Sequence, residues 1–328
     1  MKISLIVLNY NGKHLLKDYF DSVNIQTRSP DEIILFDNCS VDGSFDFVRK
    51  KYPNVRIIKE DSYNTGAVLG LNIASKYATG ELFLFQSNDV RMDKNCIKVL
   101  EEAFKKNGKV GLGTSVSLTA NRTQKEEFVE NAGAEMDVIG FTWPLHYGKK
   151  RKEIPREEEV FCVYGNSIMV RAEIFKTLGG FDEKYFALHD DIDLSWRVRL
   201  LGYTVCYHAG SYVSHLGHAT LGKTYNRAQK RYWSERNCLR TMLKNYSLKS
   251  LCIYLPFYIC ILGAEMGYHV RKFRFDLCIA IIRAIGWNGF YLVDTLKKRI
   301  YIQRIRKIND SQILPLLYHG SLKLRFGR

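Results

Sequence analysis

The first 107 residues alternate short apolar runs with amphipathic stretches, and no other feature narrows the fold of this chain as much. Residues 3–8, 32–37, 55–59 and 81–86 have the composition of buried strands, while 13–25, 44–51, 66–77 and 93–107 carry helical periodicity. Strand and helix in strict turn imply βαβ units around a mainly parallel sheet, because a parallel neighbour is reached only by a crossover. In such sheets ligands bind beyond the carboxyl ends of the strands. Those ends are polar here: Asn9-Tyr10-Asn11, Asp37-Asn38 and Ser87-Asn88-Asp89.

Residues 108–222 are less regular, with strands predicted at 110–117, 204–207 and 211–214 and strand-like stretches at 128–139 and 160–170. The run Lys149-Lys150-Arg151-Lys152 reads as a solvated loop. Phe141-Thr142-Trp143 and Tyr147 offer faces that stack on sugars, although burial in a core is the commoner fate of such residues. The centre of this half runs from Leu178 to Arg197, where a Gly179-Gly180 turn and an aromatic segment lead into Asp190, Asp191 and Asp193. A helix predicted over 191–201 puts these acids at its N-terminus. Capping, and an Asp193–Arg197 pair one turn apart, account for part of the cluster. Three acids within four residues exceed what a cap needs. Crowded like charges raise one another's pKa, as a proton acceptor requires.

A chain of 328 residues with 46% hydrophobic and 25% charged content suits one large α/β domain plus an appendage. Its opening apolar run is too short for a secretory signal and reads better as a strand. Eight scattered cysteines, with neither a Cys-x-x-Cys pair nor zinc-site spacing, fit reduced thiols in a cytoplasmic protein. The net charge of +15 is local: residues 223–328 hold 21 Lys and Arg against 5 Asp and Glu. A basic amphipathic helix is predicted over 223–245. The apolar run 251–264 would reach roughly 21 Å as a helix, short of the roughly 30 Å of a bilayer core, and contains Pro256. A second run, 277–293, is interrupted by Arg283, Trp287 and Asn288. Cationic clusters at Arg271-Lys272-Phe273-Arg274 and Lys297-Lys298-Arg299 flank both, the pattern of a segment lying on an anionic membrane surface. A helical cap on the α/β domain is the alternative. The apolar content and the absence of a nucleic-acid-binding motif argue against nucleic acid.

Taken together, Gly179-Gly180-Phe181-Asp182-Glu183, Tyr185-Phe186, Asp190-Asp191-Ile192-Asp193-Leu194, Arg197, Gly202-Tyr203 and His215 resemble the family-two glycosyltransferases of the GT-A fold. The nearest likeness is to the rhamnosyltransferase-like branch of surface-polysaccharide assembly. The resemblance covers residues 1 to about 245 and takes in Asn64-Thr65-Gly66, Tyr164-Gly165-Asn166-Ser167 and Arg236-Asn237. It implies an α/β GT-A catalytic domain at 1–222, with a nucleotide-sugar half (1–107) and an acceptor half (108–222); the charge and apolar runs described above make 223–328 a basic, membrane-associating helical extension. By the same resemblance Asp191 is the catalytic base, with Asp190 and Arg197 orienting base or acceptor. Donor contacts fall to Asn9, Asn11, Asp37, Asn64, Gly66, Asn72 and Asn88. A divalent cation, Mg2+ or Mn2+, would be held by Asp89, His215 and the donor diphosphate, with His218 as a further candidate.

Two departures stand out. The family usually has Glu-Asp at the position of Asp190-Asp191, and of its Asp-x-Asp metal motif only the last carboxylate remains in Ser87-Asn88-Asp89. The implied activity is inverting transfer from a nucleotide-diphosphate sugar to a hydroxyl of a lipid-linked glycan, by a cytoplasmic enzyme on the inner face of the membrane. Two rivals stand beside it. A sugar-phosphate nucleotidyltransferase would bring a basic, Gly-rich N-terminal loop that Asn9-Tyr10-Asn11-Gly12 does not offer. A non-catalytic glycan- or lipid-binding relative fits the missing metal carboxylate but not the retention of Asp89, Asp191 and His215.

Overall fold

β1 (Ile3–Asn9), α1 (Lys13–Asn24), β2 (Glu32–Asn38), α2 (Ser44–Lys51), β3 (Val55–Glu60), α3 (Gly66–Ser75), β4 (Leu82–Ser87), β5 (Val90–Met92) and α4 (Cys96–Lys106) realise the alternation read from the sequence. There follow β6 (Val110–Thr119), β7 (Val129–Asn131), β8 (Ala134–Met136), β9 (Thr142–Pro144), β10 (Glu157–Glu159), β11 (Ser167–Arg171), α5 (Ala172–Thr177), α6 (Asp190–Leu200) and β12 (Thr204–His215). The longer helices of the last third are α7 (Arg227–Asn245), α8 (Leu248–Arg271), α9 (Phe275–Phe290) and α10 (Leu292–Ile305), and the short α11 (Asp310–Ile313) and α12 (Leu322–Phe326) close the chain. The computed structural model describes residues 1–119, 127–215 and 225–326, so His218 and the predicted start of the basic helix at 223 lie outside the described residues.

The main sheet runs β10-β12-β6-β11-β4-β1-β2-β3. Strands β3, β2, β1 and β4 are parallel, whereas β11 is antiparallel to both β4 and β6. Because β11 is reversed, its start lies beside the end of β4, with Ser167 opposite Gln86. β12 runs parallel to β6, and His215 pairs with Thr119 at the carboxyl end of both. One edge of the sheet therefore gathers Asn9, Asn38, Ser87, Gly165 and His215 from separate parts of the chain. The two short strands expected over 204–214 are one, bent by a bulge between His208 and Tyr212.

Strand side chains alternate between two layers. Ile3, Leu5 and Val7 enter one core with Leu35, Leu82 and Leu84, and Ile6 enters the other with Ile34, Phe36, Phe83 and Phe85. A third core joins Trp196 and Leu200 of α6 to Leu239, Met242 and Tyr246 near α7, Tyr258 and Ile261 of α8, and Ile281 of α9. The basic third is thus packed against α6 and the α/β part of the chain from α7 onward. Helix α8 is longer than its apolar run of 14 residues predicted. With 24 residues it is long and apolar enough to cross a membrane by length and composition, Pro256 included.

Candidate active site

Beyond the polar sheet edge lies a cavity of about 280 Å3 lined by Asn64, Gly66, Asn88, Asp89, Asp190 and His215, with Gly165, Phe186 and Tyr225 completing its wall. Six of the residues expected at the site from sequence therefore meet in one place. Gly66 is required there: its φ is +81°, and a Cβ would lie 2.7 Å from the Phe186 ring. The Asn38 amide ties the end of β2 to this turn, donating to Asn64 Oδ1 (2.9 Å) and accepting from the Thr65 N–H (2.9 Å).

Other expected donor residues shape the cavity from behind. Asp37 is fully buried and accepts from Asn9 Nδ2 (2.9 Å) and the Ser40 N–H (3.0 Å). Asn9 Oδ1 in turn accepts from Asn88 Nδ2 (2.7 Å), so the ends of three strands are laced together. Asn11 sits at positive φ and accepts from the Val41 N–H (2.8 Å), ordering its own loop. Asn72 faces away from the cavity. Its amide donates to the Phe181 carbonyl and accepts from the Phe181 N–H, both at 2.9 Å, clasping the Gly179-Gly180 turn. One face of Trp143 is covered by Phe326, which stacks on it at 4.3 Å.

The acidic cluster divides into three roles. Asp193 is fully buried and bound to Arg197 Nε (2.8 Å), Lys244 Nζ (2.9 Å) and Asn245 Nδ2 (3.1 Å). Arg197 donates its remaining bonds to the Leu178 and Gly180 carbonyls, so it braces the turn and leaves Asp191 alone, contrary to the orienting role expected of it. Asp190 lines the cavity itself. Asp191 accepts from the Gly165 N–H (2.7 Å) and from the Ile192 N–H (2.8 Å), which fixes its carboxylate while leaving lone pairs free. Glycine at 165 permits this approach, since a Cβ would lie 3.3 Å from Asp191 Oδ2. Burial pushes both carboxyls above the usual range, and the Asp190 charge pushes Asp191 further.

The backbone entering α6 is strained: Leu188 and His189 have φ of 68° and 71°. Such geometry costs of order 1–3 kcal/mol per residue and persists only where neighbours enforce it. Asn237 of α7 does so, donating from Nδ2 to the Ala187 (3.0 Å) and Leu188 (2.7 Å) carbonyls. Its motif partner Arg236 donates to the Lys184 carbonyl (3.2 Å). Helix α7 thus aims the acidic pair.

Across the cavity, Asp89 Oδ2 lies 3.4 Å from His215 Nε2, and His215 Nδ1 lies 2.9 Å from Glu130 Oε2. Burial opposes protonation of this imidazole, but its hydrogen bonds to Asp89 and Glu130 raise it to about 10. Asp89 Oδ1 is buried with no hydrogen-bond partner among the described residues. An orphaned carboxylate oxygen beside an imidazole backed by a second carboxylate fits a divalent cation, which would take the place of the Nε2 proton. Glu130 escaped the sequence reading, since a three-residue strand offers no periodic signal. A relay joins the two sides: Asn166 Nδ2 donates to Ser117 Oγ (2.9 Å), which donates to Glu130 (2.7 Å). Gly165 and Asn166 are adjacent, so one segment bonds Asp191 directly and reaches His215 through Ser117 and Glu130. A different trio, Glu157, Cys206 and His208, also has ligating atoms in reach of one another, but it lies at the opposite end of β12.

The profile of Glycosyl transferase family 2 matches residues 4–179, more than half of the chain. The chain is 26% identical over 239 residues to the N-acetylglucosaminyl-diphospho-decaprenol L-rhamnosyltransferase of Mycobacterium tuberculosis, covering 65% of this chain and 75% of the relative. Among solved structures it resembles GalNAc-T7 with UDP, GalNAc and Mn2+ (TM-score 0.64, 12% identity, 90% of this chain and 57% of that one). It also resembles S. aureus TarS 1–349 with UDP-GlcNAc (TM-score 0.59, 16% identity, 98% and 93%). With the GT-A architecture and the gathered sheet edge, the match establishes that the chain belongs to glycosyl transferase family 2.

Proposed function

We propose that the protein is an inverting, metal-dependent glycosyltransferase that moves a sugar from a nucleotide-diphosphate donor to a hydroxyl of a lipid-linked glycan. The observation that carries the reading is the cavity lined together by Asp89, His215 and Asp190, with the neighbouring Asp191 held on the N–H of Gly165 in the same wall. Asp191, held by the Gly165 N–H, takes the proton of the acceptor hydroxyl as its oxygen bonds to the anomeric carbon. The anomeric carbon–oxygen bond breaks on the opposite face, and its electron pair leaves on the nucleotide diphosphate, which inverts the centre. A pKa lifted toward neutrality suits such a base, because proton affinity then matches the working pH. Asp89 and His215 would hold a divalent cation, Mg2+ or Mn2+, which supplies charge stabilisation for the departing diphosphate. Asn64, Asn88, Phe186 and Tyr225 would bound the donor, with Asp37 and Asn9 holding those walls in place.

The lipid-linked acceptor is supported by the name of the mycobacterial relative and by the apolar helices of the last third. The exposed positions of α8 from Cys252 to Val270 carry no charged side chain. A helix with one face packed on protein and the other free of charge suits peripheral association with the cytoplasmic face of a membrane.

The test is nucleoside-diphosphate release from a panel of nucleotide sugars, with Mg2+ or Mn2+ and then chelator, for wild type and Asp191→Asn. We expect one donor to turn over in a chelator-sensitive manner. Asp191→Asn should lower kcat by about 10²–10⁴-fold with donor affinity intact. Turnover indifferent to chelator would remove the metal from the reading, and an Asp191→Asn enzyme within a few-fold of wild type would remove the base. If Asp190→Asn is the variant that abolishes kcat, the base assignment passes to Asp190.

A further inference from the structure

A second cavity, of about 760 Å3, lies among Leu188, α7, α8, α9 and α12, within the usual size of small-ligand sites. Its floor is apolar, from Ile261, Ala264 and Leu277. Its cationic rim is Arg227 and Lys230, whose side chains have no hydrogen bond or ion pair among the described residues. The other charges in its wall neutralise one another. Lys323 Nζ lies 2.8 Å from both Glu235 and Glu265, and Arg231 pairs with the same two acids. Two unpaired cations above an apolar floor are complementary to an apolar chain that ends in a multiply charged anion.

The position of this cavity says which anion. Leu188 lines it, whereas the preceding Ala187 lines the donor cavity. Arg227 lines it, whereas Tyr225 lines the donor cavity. The two spaces therefore share a wall made of the strained turn before Asp190 and the start of α7. At the mouth, Tyr268 and Leu324 are 59% and 66% exposed and lead to exposed Val270 and Phe273 beside Arg271 and Lys272. A ligand here has its charged end at Arg227 and Lys230, beside the wall shared with the donor cavity, and its apolar end toward the uncharged face of α8.

We propose that this cavity binds the lipid diphosphate of the acceptor, with Arg227 and Lys230 on the diphosphate and the first isoprenoid units on Ile261, Ala264 and Leu277. The inference rests on the lipid-linked acceptor proposed above and goes further by assigning that acceptor a site. A diphosphate at this rim leaves its sugar over the shared wall, where a hydroxyl meets Asp190 and Asp191.

Farnesyl diphosphate in neutral detergent serves as the probe, read by calorimetry on the full chain. Two surface variants test the two halves of the site: Arg227→Gln with Lys230→Gln for charge, and Ala264→Trp to fill the floor. Each should weaken farnesyl diphosphate at least tenfold, and inorganic diphosphate should bind far more weakly than the lipid. In transfer to a polyprenyl-diphosphate-linked sugar, both variants should raise KM for the acceptor while kcat and the donor KM hold. Unchanged binding in both variants overturns the assignment, as does an effect that appears on anionic vesicles but not in detergent, which marks the rim as a membrane contact. If wild type transfers to the lipid-linked acceptor while both variants keep its KM, this site alone is wrong. If wild type transfers only to lipid-free acceptors, the proposed acceptor class itself fails.

Discussion

Helices α7 and α8 follow one another in the chain and bury opposite things. Helix α7 buries charge: Arg240 and Lys244 are essentially inaccessible and reach Asp182 at 2.8 and 2.6 Å, while Glu235, Arg236 and Asn237 are also buried. Helix α8 does the reverse, leaving Ile253, Phe257, Ile259 and Val270 at the surface. Buried ions persist only with partners, so α7 is bound into the catalytic body by the acids of that body. Exposed apolar area on this scale indicates a surface that meets something other than water. The basic excess of the last third is therefore two things: a structural clamp behind the acidic pair, and the flanks of an apolar face.

The comparison breaks most sharply at Lys244, which joins Asp182 to Asp193. Lys244→Met leaves two buried carboxylates short of a cation and should cost about 3–5 kcal/mol by chemical denaturation. A loss below about 1 kcal/mol would mean that α7 is a loosely held appendage after all. Asn237→Ala should be milder, since it strips partners from two carbonyls at a cost of about 1–3 kcal/mol. Its mark should be a drop in kcat of about tenfold with the donor KM retained, because the strained turn no longer aims Asp190 and Asp191. An equal rise in donor KM would place the effect in the donor cavity instead.

On α8, Ile253→Asp with Phe257→Asp should leave the unfolding midpoint nearly unchanged, within about 0.5 kcal/mol per site. Vesicle flotation should fall at least tenfold. Destabilisation with unaltered flotation would show that this face packs on protein.

The smallest effect near neutrality is that of pH. Burial opposes ionisation of Asp182 and Asp193, but Lys244, Arg240 and Arg197 outweigh it and hold both below the ordinary carboxylate range. Lys244 is also lowered, by burial first and by the neighbouring arginines. Two carboxylates share four cations, Lys244, Arg240, Arg197 and Lys298, so the carboxylates set the pH dependence of the clamp. Depressed carboxylates contribute stability above their unfolded pKa of roughly 3.9 and lose it as pH falls through their folded values. The α7 clamp should thus be flat from about pH 5 to 8 and fail in acid below about pH 4, whereas the apolar contribution of α8 to vesicle binding should not titrate there.

The local signals were legible because they are local. Strand and helix periods, the polar strand ends, Gly66, Gly165 and the charged start of α6 each follow from neighbouring residues, and the structure keeps them. The roles of Asp37, Asn72 and Arg197 were not legible, because a polar side chain written beside a strand end or in a helix can point into a cavity or beneath it. Whether Asn72 reaches a donor or the Phe181 backbone depends on a segment 109 residues away. Glu130 and the clamp of Asn237 on Leu188 depend likewise on distant pairing.

The sequence by itself determined the α/β alternation, the edge on which a ligand would sit and the separation of charge between the first two thirds and the last. Among the described residues, packing decided which cations are spent on Asp182 and Asp193, which stay free at Arg227 and Lys230, and which apolar face is left without a protein partner. Periodicity is written into adjacent residues, but the partner of a charge is chosen by packing between elements far apart in the chain.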